Sequence, residues 1–399
     1  MKYIFLLFFI ILISGCKDDT AKETSGQKVS VSEVAQLSHS SNVYTSSVLA
    51  DGTILFGGEN GLSISSTSNR NNKSNFKLPV FTIKSDVNSS NRDNNDSVEK
   101  VKIYSIASLD NSIFIGGSFS NVNGIDRNNL IKLDNNGSVN IDFNNSINGT
   151  VFKILPIDSE SLLIAGAFGG YNDNIAHSIV KISTDGIINN DFVPFNEYLF
   201  VKINDIAKLD SSKYIVSGTF VKEAGEADEN TTKEEVINMT HSVVVLNLDG
   251  SVDEDMTNKF SEIKNEAFVV EVENGLVYIG GDFEFTKNEK LYNNLVSFSV
   301  DGTFNEEFQI DRLQGMIFDT KIVDNQIIFV GDFIMDDNIQ TRSFYIVNEF
   351  GQTIKVDNFS VDADIYSIDI YQGNLILSGD GKFELNGNSY SNNIALKLQ

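Results

Sequence analysis

From Val29 onward the chain reads as short apolar runs broken by polar turns, and one phrase keeps returning. An apolar run meets one or two glycines, then a small or acidic residue, then usually Phe. The copies are Ile115-Gly116-Gly117-Ser118-Phe119, Ala165-Gly166-Ala167-Phe168, Ser217-Gly218-Thr219-Phe220, Gly280-Gly281-Asp282-Phe283 and Val330-Gly331-Asp332-Phe333. Weaker copies sit at Gly57-Gly58-Glu59 and Ser378-Gly379-Asp380. Upstream of each lies a strand-like run with a recurring aromatic: Tyr44, Tyr104, Phe152, Phe268, Phe318 and Tyr366, with Asn204 as the exception. Downstream lies an apolar run that ends in a turn, at Asn136-Gly137, Asp185-Gly186, Asp249-Gly250 and Asp301-Gly302. Asn-Gly and Asp-Gly suit hairpins because the turn demands positive φ. A further apolar residue follows each of these turns, at Phe143, Phe192, Met256 and Phe308. Each unit therefore predicts four short strands, A to D, with the glycine phrase ending B and the Asx-Gly turn ending C.

Four-stranded units repeating roughly every 40–50 residues are the sequence form of a β-propeller. First strands beginning near Val43, Val101, Val151, Val201, Lys264, Met316 and Ile365 predict an all-β propeller of seven four-stranded blades. The last unit ends after its C strand, while Val29 to Val34 alternates apolar and polar ahead of the first unit. That orphan strand is placed to complete the last blade, closing the ring and removing two exposed edges. A linear solenoid, the main rival, gains nothing from this match. Residues 117–143, with Gly117-Ser118-Phe119, Asn129-Leu130-Ile131-Lys132-Leu133, Gly137-Ser138 and Asp142-Phe143, resemble the delta-60 repeat, a β-propeller repeat of bacterial proteins. The resemblance covers roughly residues 100–320 and fades in the end units, where Phe350-Gly351 replaces the Asp-Gly turn of the sixth. It implies export and no assigned chemistry.

The chain opens Met1-Lys2-Tyr3 and continues with an unbroken apolar run from Ile4 to Ile13. Ten helical residues span only about 15 Å, half a hydrocarbon core, so the run reads as a signal-peptide core and not a membrane span. Leu12-Ile13-Ser14-Gly15-Cys16 resembles the lipobox of bacterial lipoproteins. The resemblance implies cleavage before Cys16 and acylation of its thiol. Lys17-Asp18-Asp19 is similar to the export tag of surface-exposed Bacteroidota lipoproteins. The expected organisation is a signal peptide over 1–15, a lipidated cysteine and flexible tether over 16–28, and the repeat domain over 29–399.

Composition narrows the partners. The net charge of −25 repels phosphate backbones, which excludes nucleic acid as a natural ligand. It favours a cation or a basic protein, or simply keeps an exported monomer soluble. A single cysteine rules out an internal disulfide and any multi-thiolate metal site, so no cofactor is expected.

Candidate chemistry is sparse. Asp249, Asp253 and Asp255 suggest calcium, but their turn recurs in every unit and hairpin geometry already explains it. Ser299 to Phe304 is similar to the Asp-box of sialidase propellers, without its spacer or terminal Trp. Of five arginines, Arg70, Arg92 and Arg127 lie in polar, loop-like sequence, which argues against an arginine carboxylate clamp; Arg127, Arg312 and Arg342 are the residues that one would use. His177 and His241 fall where Asn129 and Asn294 fall, so repeat position explains them, and His39 has no readable context. Phe119, Phe168, Phe220, Phe283 and Phe333 read as packing between blades. Connections vary more than strands do. Unit four carries a long B–C insertion with Glu223, Glu226, Asp228, Glu229, Glu234 and Glu235, the candidate partner-binding loop, and unit one carries an Asn- and Ser-rich insertion from Ser65 to Lys100, expected to be mobile.

The expectation is a surface-displayed, non-enzymatic binding or scaffold lipoprotein of the outer membrane whose partner is a protein or a cell-surface glycan. A carbohydrate-active lyase or glycosidase and a purely structural envelope component are the alternatives. Cys16→Ala should release the protein from the membrane fraction, since no other segment is apolar and long enough to hold it. Retention of that variant after a high-salt wash would overturn the anchor.

Overall fold

A computed structural model describes residues 28–36, 42–66, 76–83, 100–222, 240–310, 313–335 and 342–398. The expected signal peptide, Cys16 and most of the expected tether lie outside the described residues, as does His39. The fold is all-β. Seven antiparallel units follow one another, each built on three main strands. Unit one is Val43–Val48, Thr53–Gly58 and Gly61–Ser66. Unit two is Lys102–Leu109, Ser112–Ser118 and Leu130–Asp134, and unit three is Ile147–Pro156, Ser161–Tyr171 and Ile179–Ser183. Unit four is Tyr198–Lys208, Lys213–Lys222 and Thr240–Asn247, and unit five is Glu266–Glu273, Leu276–Lys287 and Lys290–Ser299. Unit six is Leu313–Val323, Gln326–Met335 and Arg342–Val347, and unit seven is Ile365–Tyr371, Asn374–Leu385 and Asn388–Leu398. The first strand of each unit packs against the first strand of the next, and that of unit seven packs against that of unit one.

The four-stranded expectation needs correction. In units two to five the fourth segment makes one isolated bridge to the third strand, at Leu133–Val139, Ile182–Ile188, Leu246–Val252 and Phe298–Phe304. The reason lies in the next residue. Asn140, Asn189, Asp253 and Asn305 each turn a side-chain oxygen onto a backbone N–H two or three residues ahead, at 2.9–3.2 Å. Such Asx turns compete with the sheet ladder and end the strand. They also throw Phe143, Phe192 and Phe308 inward, where each is buried in the core of the following unit. Among the described residues, only unit six continues directly into a paired fourth strand, Thr353–Asp357.

Lys28–Gln36 pairs antiparallel with Asn388–Leu398, in register Val31 to Leu398, and parallel with Thr353–Asp357. It thereby joins the sheets of units six and seven into one nine-stranded sheet. The unit-one insertion also departs from expectation. Its middle, residues 76–83, is folded against unit two: Phe76 and Phe81 are buried there, Phe81 meets Phe119 edge to face at 5.0 Å, and Lys77 N–H donates to the Asn136 carbonyl. This stretch is apolar within an otherwise Asn- and Ser-rich segment. It fills the place that Phe143 and its equivalents fill at later junctions.

One irregularity recurs in all seven units. The register between first and second strands slips by one residue at Tyr44, Tyr104, Phe152, Asn204, Phe268, Phe318 and Tyr366. The residue before each slip stands opposite a glycine of the repeated phrase: Gly58, Gly117, Gly166, Gly218, Gly281, Gly331 or Gly379. A Cβ on any of these glycines would sit 1.9–2.3 Å from a carbonyl oxygen of the bulged strand. The glycine is required because the bulge brings two backbones into contact. Gly281→Ala should therefore cost on the order of 2–4 kcal/mol, as overpacking against unyielding backbone does. Urea unfolding of the variant checks this, and a midpoint equal to the parent's would show the approach to be soft.

Candidate functional site

The seven bulged residues converge. Bulges re-aim side chains, and these turn toward the space enclosed by the first strands. Each is half-buried, with the rest of its surface open to that space. Tyr44 stacks on Tyr104 at 5.2 Å and meets Tyr366 edge-on at 5.3 Å. Tyr104 meets Phe152 at 5.2 Å, Phe268 meets Phe318 at 5.8 Å, and Phe318 stacks on Tyr366 at 5.7 Å. Six aromatic rings thus form a collar that is interrupted only at unit four, where Asn204 stands. They line a cavity of 540 Å³ along the axis, within the range of small-molecule sites.

Below the collar, the residue after the bulge in units two, four and six ties neighbouring units together. Ser105 Oγ accepts the N–H of Ile154 from unit three at 3.0 Å. Asp205 accepts the N–H of Ile206 at 2.9 Å and, through its other oxygen, that of Val270 in unit five at 3.2 Å. Asp319 does the same for Thr320 and for Ile368 of unit seven, both at 2.8 Å. These carboxylates satisfy backbone amides that the bulge has taken out of the ladder. Lys153 pairs with Asp205 at 2.6 Å, and Lys321 pairs with Glu271 at 2.7 Å and lies 3.7 Å from Asp319. Burial works against the charge of Lys321, but Asp319 and Glu271 outweigh it and raise its pKa. Burial raises Glu271 and pushes Asp369, on the same wall, up to about 6.

Above the collar, ionic groups are mostly paired. Tyr44 donates to Glu59 at 3.2 Å, and Glu59 pairs with Lys100 at 3.1 Å. Lys202 pairs with Glu266 at 2.5 Å and lies 6.0 Å from the Phe152 ring centroid. Tyr366 donates to Asp380 at 2.8 Å. Asp364, 3.6 Å from Arg342, is pushed up to about 6 by burial and by the neighbouring Asp332 and Asp380.

The residues singled out from sequence fare differently. Glu223, Glu226, Asp228, Glu229, Glu234 and Glu235 lie outside the described residues; the last described residue before them, Lys222, pairs with Tyr198. Asp249, Asp253 and Asp301 are engaged by their own turns and by a helix cap, and no cluster of metal-ligating side chains occurs among the described residues. Arg127 is buried, holding Asn144 Oδ1 at 2.7 Å and the Ile141 carbonyl at 3.0 Å, so it is structural. Arg312 lies outside the described residues. The histidines need a shift of one. Strand pairing aligns Leu130, Ile179, Val243 and Leu295, so His177 and His241 correspond to Asn128 and Asn293. Asn129 and Asn294 instead accept the N–H groups of Phe119 and Phe283. Phe119, Phe168, Phe220, Phe283 and Phe333 are buried as packing residues. The collar itself was visible in sequence as a recurring aromatic. What sequence lacked was the bulge that points it at the axis.

A ring of like units with their first strands around one axis defines a β-propeller. In agreement, residues 109–141 match a family profile described as a domain of unknown function (DUF5122) beta-propeller. No curated protein matches the sequence. Among solved structures, the extracellular domain of a putative hybrid two-component system from B. thetaiotaomicron is similar over 93% of this chain, at 12% identity and a TM-score of 0.51. This chain spans 43% of that one. The Cps50 (Swd1) β-propeller domain of Myceliophteria thermophila aligns over 92% of this chain and 100% of its own length, at 8% identity and a TM-score of 0.44. The computationally designed Ika8 protein aligns over 93% of this chain and 99% of its own, at 10% identity and a TM-score of 0.45.

The raised carboxyl of Asp369 has a measurable consequence. It ionises near 6 in the fold against 3.8 ordinarily, so the folded state binds the extra proton and stability falls as pH rises from about 4 through 6. Asp369→Asn keeps an oxygen for the Ile370 N–H and removes that penalty. The variant should match the parent at pH 4 and exceed it at pH 7.5, by up to about 3 kcal/mol at 1.36 kcal/mol per unit. Parallel stability curves from urea titrations across that range would refute the assignment.

Proposed function

We propose that this chain is a non-enzymatic binding or scaffold lipoprotein of the outer membrane, anchored through Cys16 and displayed at the surface. It meets a protein or glycan partner with the face that carries the collar. We read the seven units as blades of one delta-60-type propeller, closed by Lys28–Gln36 as the outer strand of the last blade. The observation that carries the reading is the collar: six aromatic residues half open to a 540 Å³ cavity, held there by a bulge in every unit. Partly exposed aromatics ringed by polar groups mark binding sites more often than chance surface does. We read the unit-four insertion that follows Lys222, with its Glu and Asp residues, as the variable part of the partner-binding surface.

A second reading, a carbohydrate-active enzyme, is favoured by Asp364, whose carboxyl is raised to about 6 beside Asp332 and Asp380 in the manner of a general acid. The axial carboxylates Asp205 and Asp319 do not serve it, being engaged by backbone amides.

Retention on the producing organism's envelope fraction, followed by biolayer interferometry, tests the binding reading. Tyr104→Ala and Phe318→Ala should each weaken retention about tenfold, the scale of a lost aromatic anchor. Ile187→Ser and Phe350→Ser, at turns on the opposite face, should not. The reverse pattern would move the site off the collar, and release of reducing ends that stops in Asp364→Asn would establish the enzyme.

A further inference from the structure

The collar is not uniform, and its one exception is chemically specific. Unit four places Asn204 where six other units place a ring. Its amide nitrogen donates to Glu266 Oε1 at 3.1 Å and to the Ala267 carbonyl at 2.9 Å. Both donors are thereby used and the orientation of the amide is fixed. The amide oxygen has no partner among the described residues, yet Asn204 lines the cavity. At the level of the collar the wall thus consists of aromatic rings with one oriented amide acceptor set among them, while hydroxyl, lysine and carboxylate side chains line the rest of the cavity.

The charges around the cavity say what kind of ligand fits. Below the collar, Lys153 and Lys321 stand against Asp205, Asp319 and Glu271, with Asp369 on the same wall. A cation descending the axis meets two ammonium groups, and an anion meets the carboxylates that hold them. Above the collar, Glu59 and Glu266 are already paired with Lys100 and Lys202. A purely apolar ligand would strip water from Asn204 and from both lysines without replacing their hydrogen bonds, which is costly. The remaining class has flat apolar faces for the rings, hydroxyl groups for donors and acceptors of both signs, and no net charge.

Building on the binding function above, we infer that the collar takes the end of a neutral oligosaccharide, with Asn204 as the residue that sets which sugar is accepted. Sugar C–H faces lie against the aromatic rings, and one hydroxyl donates to the Asn204 amide oxygen. Lys153, whose single described partner is Asp205, keeps donors for a hydroxyl that reaches the floor.

The repeat supplies its own control. Because Tyr or Phe occupies this bulge in every other unit, Asn204→Phe asks the backbone for nothing it does not already do six times. The experiment uses the full chain in isothermal titration calorimetry with a panel of neutral hexasaccharides: maltohexaose, cellohexaose, laminarihexaose, mannohexaose and xylohexaose. Oligogalacturonate and hexalysine are the acidic and basic probes. At least one neutral probe should bind, and Asn204→Phe should weaken it at least tenfold with the melting temperature retained. Asn204→Ala, which opens the notch without filling it, should weaken the same probe severalfold and guards against a folding defect in the bulkier variant. Binding that ignores both Asn204 variants would overturn the assignment of Asn204. Selective binding of hexalysine with no neutral probe bound would overturn the saccharide. If no neutral probe binds while envelope retention still depends on Tyr104 and Phe318, the saccharide inference fails and the broader reading stands.

Discussion

The structure depends on one close approach, that of a carbonyl oxygen to the Cα of a glycine on the neighbouring strand. It occurs in every unit, from Asn42 against Gly58 to Asp364 against Gly379. The approach exists because the first strand carries one residue more than its partner at that level. The surplus residue has no place in the ladder and swings toward the axis. Glycine phrase and axial aromatic are therefore two halves of one device, although many residues separate them in sequence. The device also explains the polar residues that follow it. A bulge takes a backbone N–H out of the sheet, and a buried N–H without an acceptor is costly, so Ser105, Asp205 and Asp319 stand where they can accept it.

Much of this architecture was legible in the chain, and the limits of legibility are physical. Repeats, Asx-Gly turns and the orphan strand before Val43 can be read because turn chemistry and strand alternation are local. The fourth strand misled because an apolar residue following a hairpin turn looks like pairing. At Asn140, Asn189, Asp253 and Asn305 a side-chain oxygen diverts the backbone first. Residues 76–83 misled in the opposite sense: the Asn- and Ser-rich surroundings concealed Phe76 and Phe81, whose burial depends on a surface offered by unit two. The collar was half legible. A recurring aromatic signals a constraint, but alternation alone would assign it to the sheet core. Only the slip in register shows that it faces the axis. The histidines show the same sensitivity: an alignment off by one residue exchanges a strand-linking Asn for an exposed or half-buried neighbour.

Charge is used in two ways in this protein. Its net value of −25 is a property of the whole surface and bears on solubility and on which partners are repelled. Along the axis the charges are local and largely paired, and they work as connectors between units. Lys153 belongs to unit three and its carboxylate partner to unit four, while Lys321 belongs to unit six and its partner Glu271 to unit five. Removing one member of such a pair leaves the other half-buried and unpaired, a larger loss than the pair's own contribution.

The side-chain stitches follow a pattern. Ser105 joins unit two to three, Asp205 joins four to five, and Asp319 joins six to seven. The seams between them are crossed by ion pairs instead, Lys153 to Asp205 from unit three to four and Lys321 to Glu271 from unit six to five. Every seam from unit two to unit seven therefore has a side-chain fastening, and Asp205 serves two of them. Loss of Asp205 would loosen unit four on both sides, whereas loss of Ser105 would open one seam and leave its neighbours fastened.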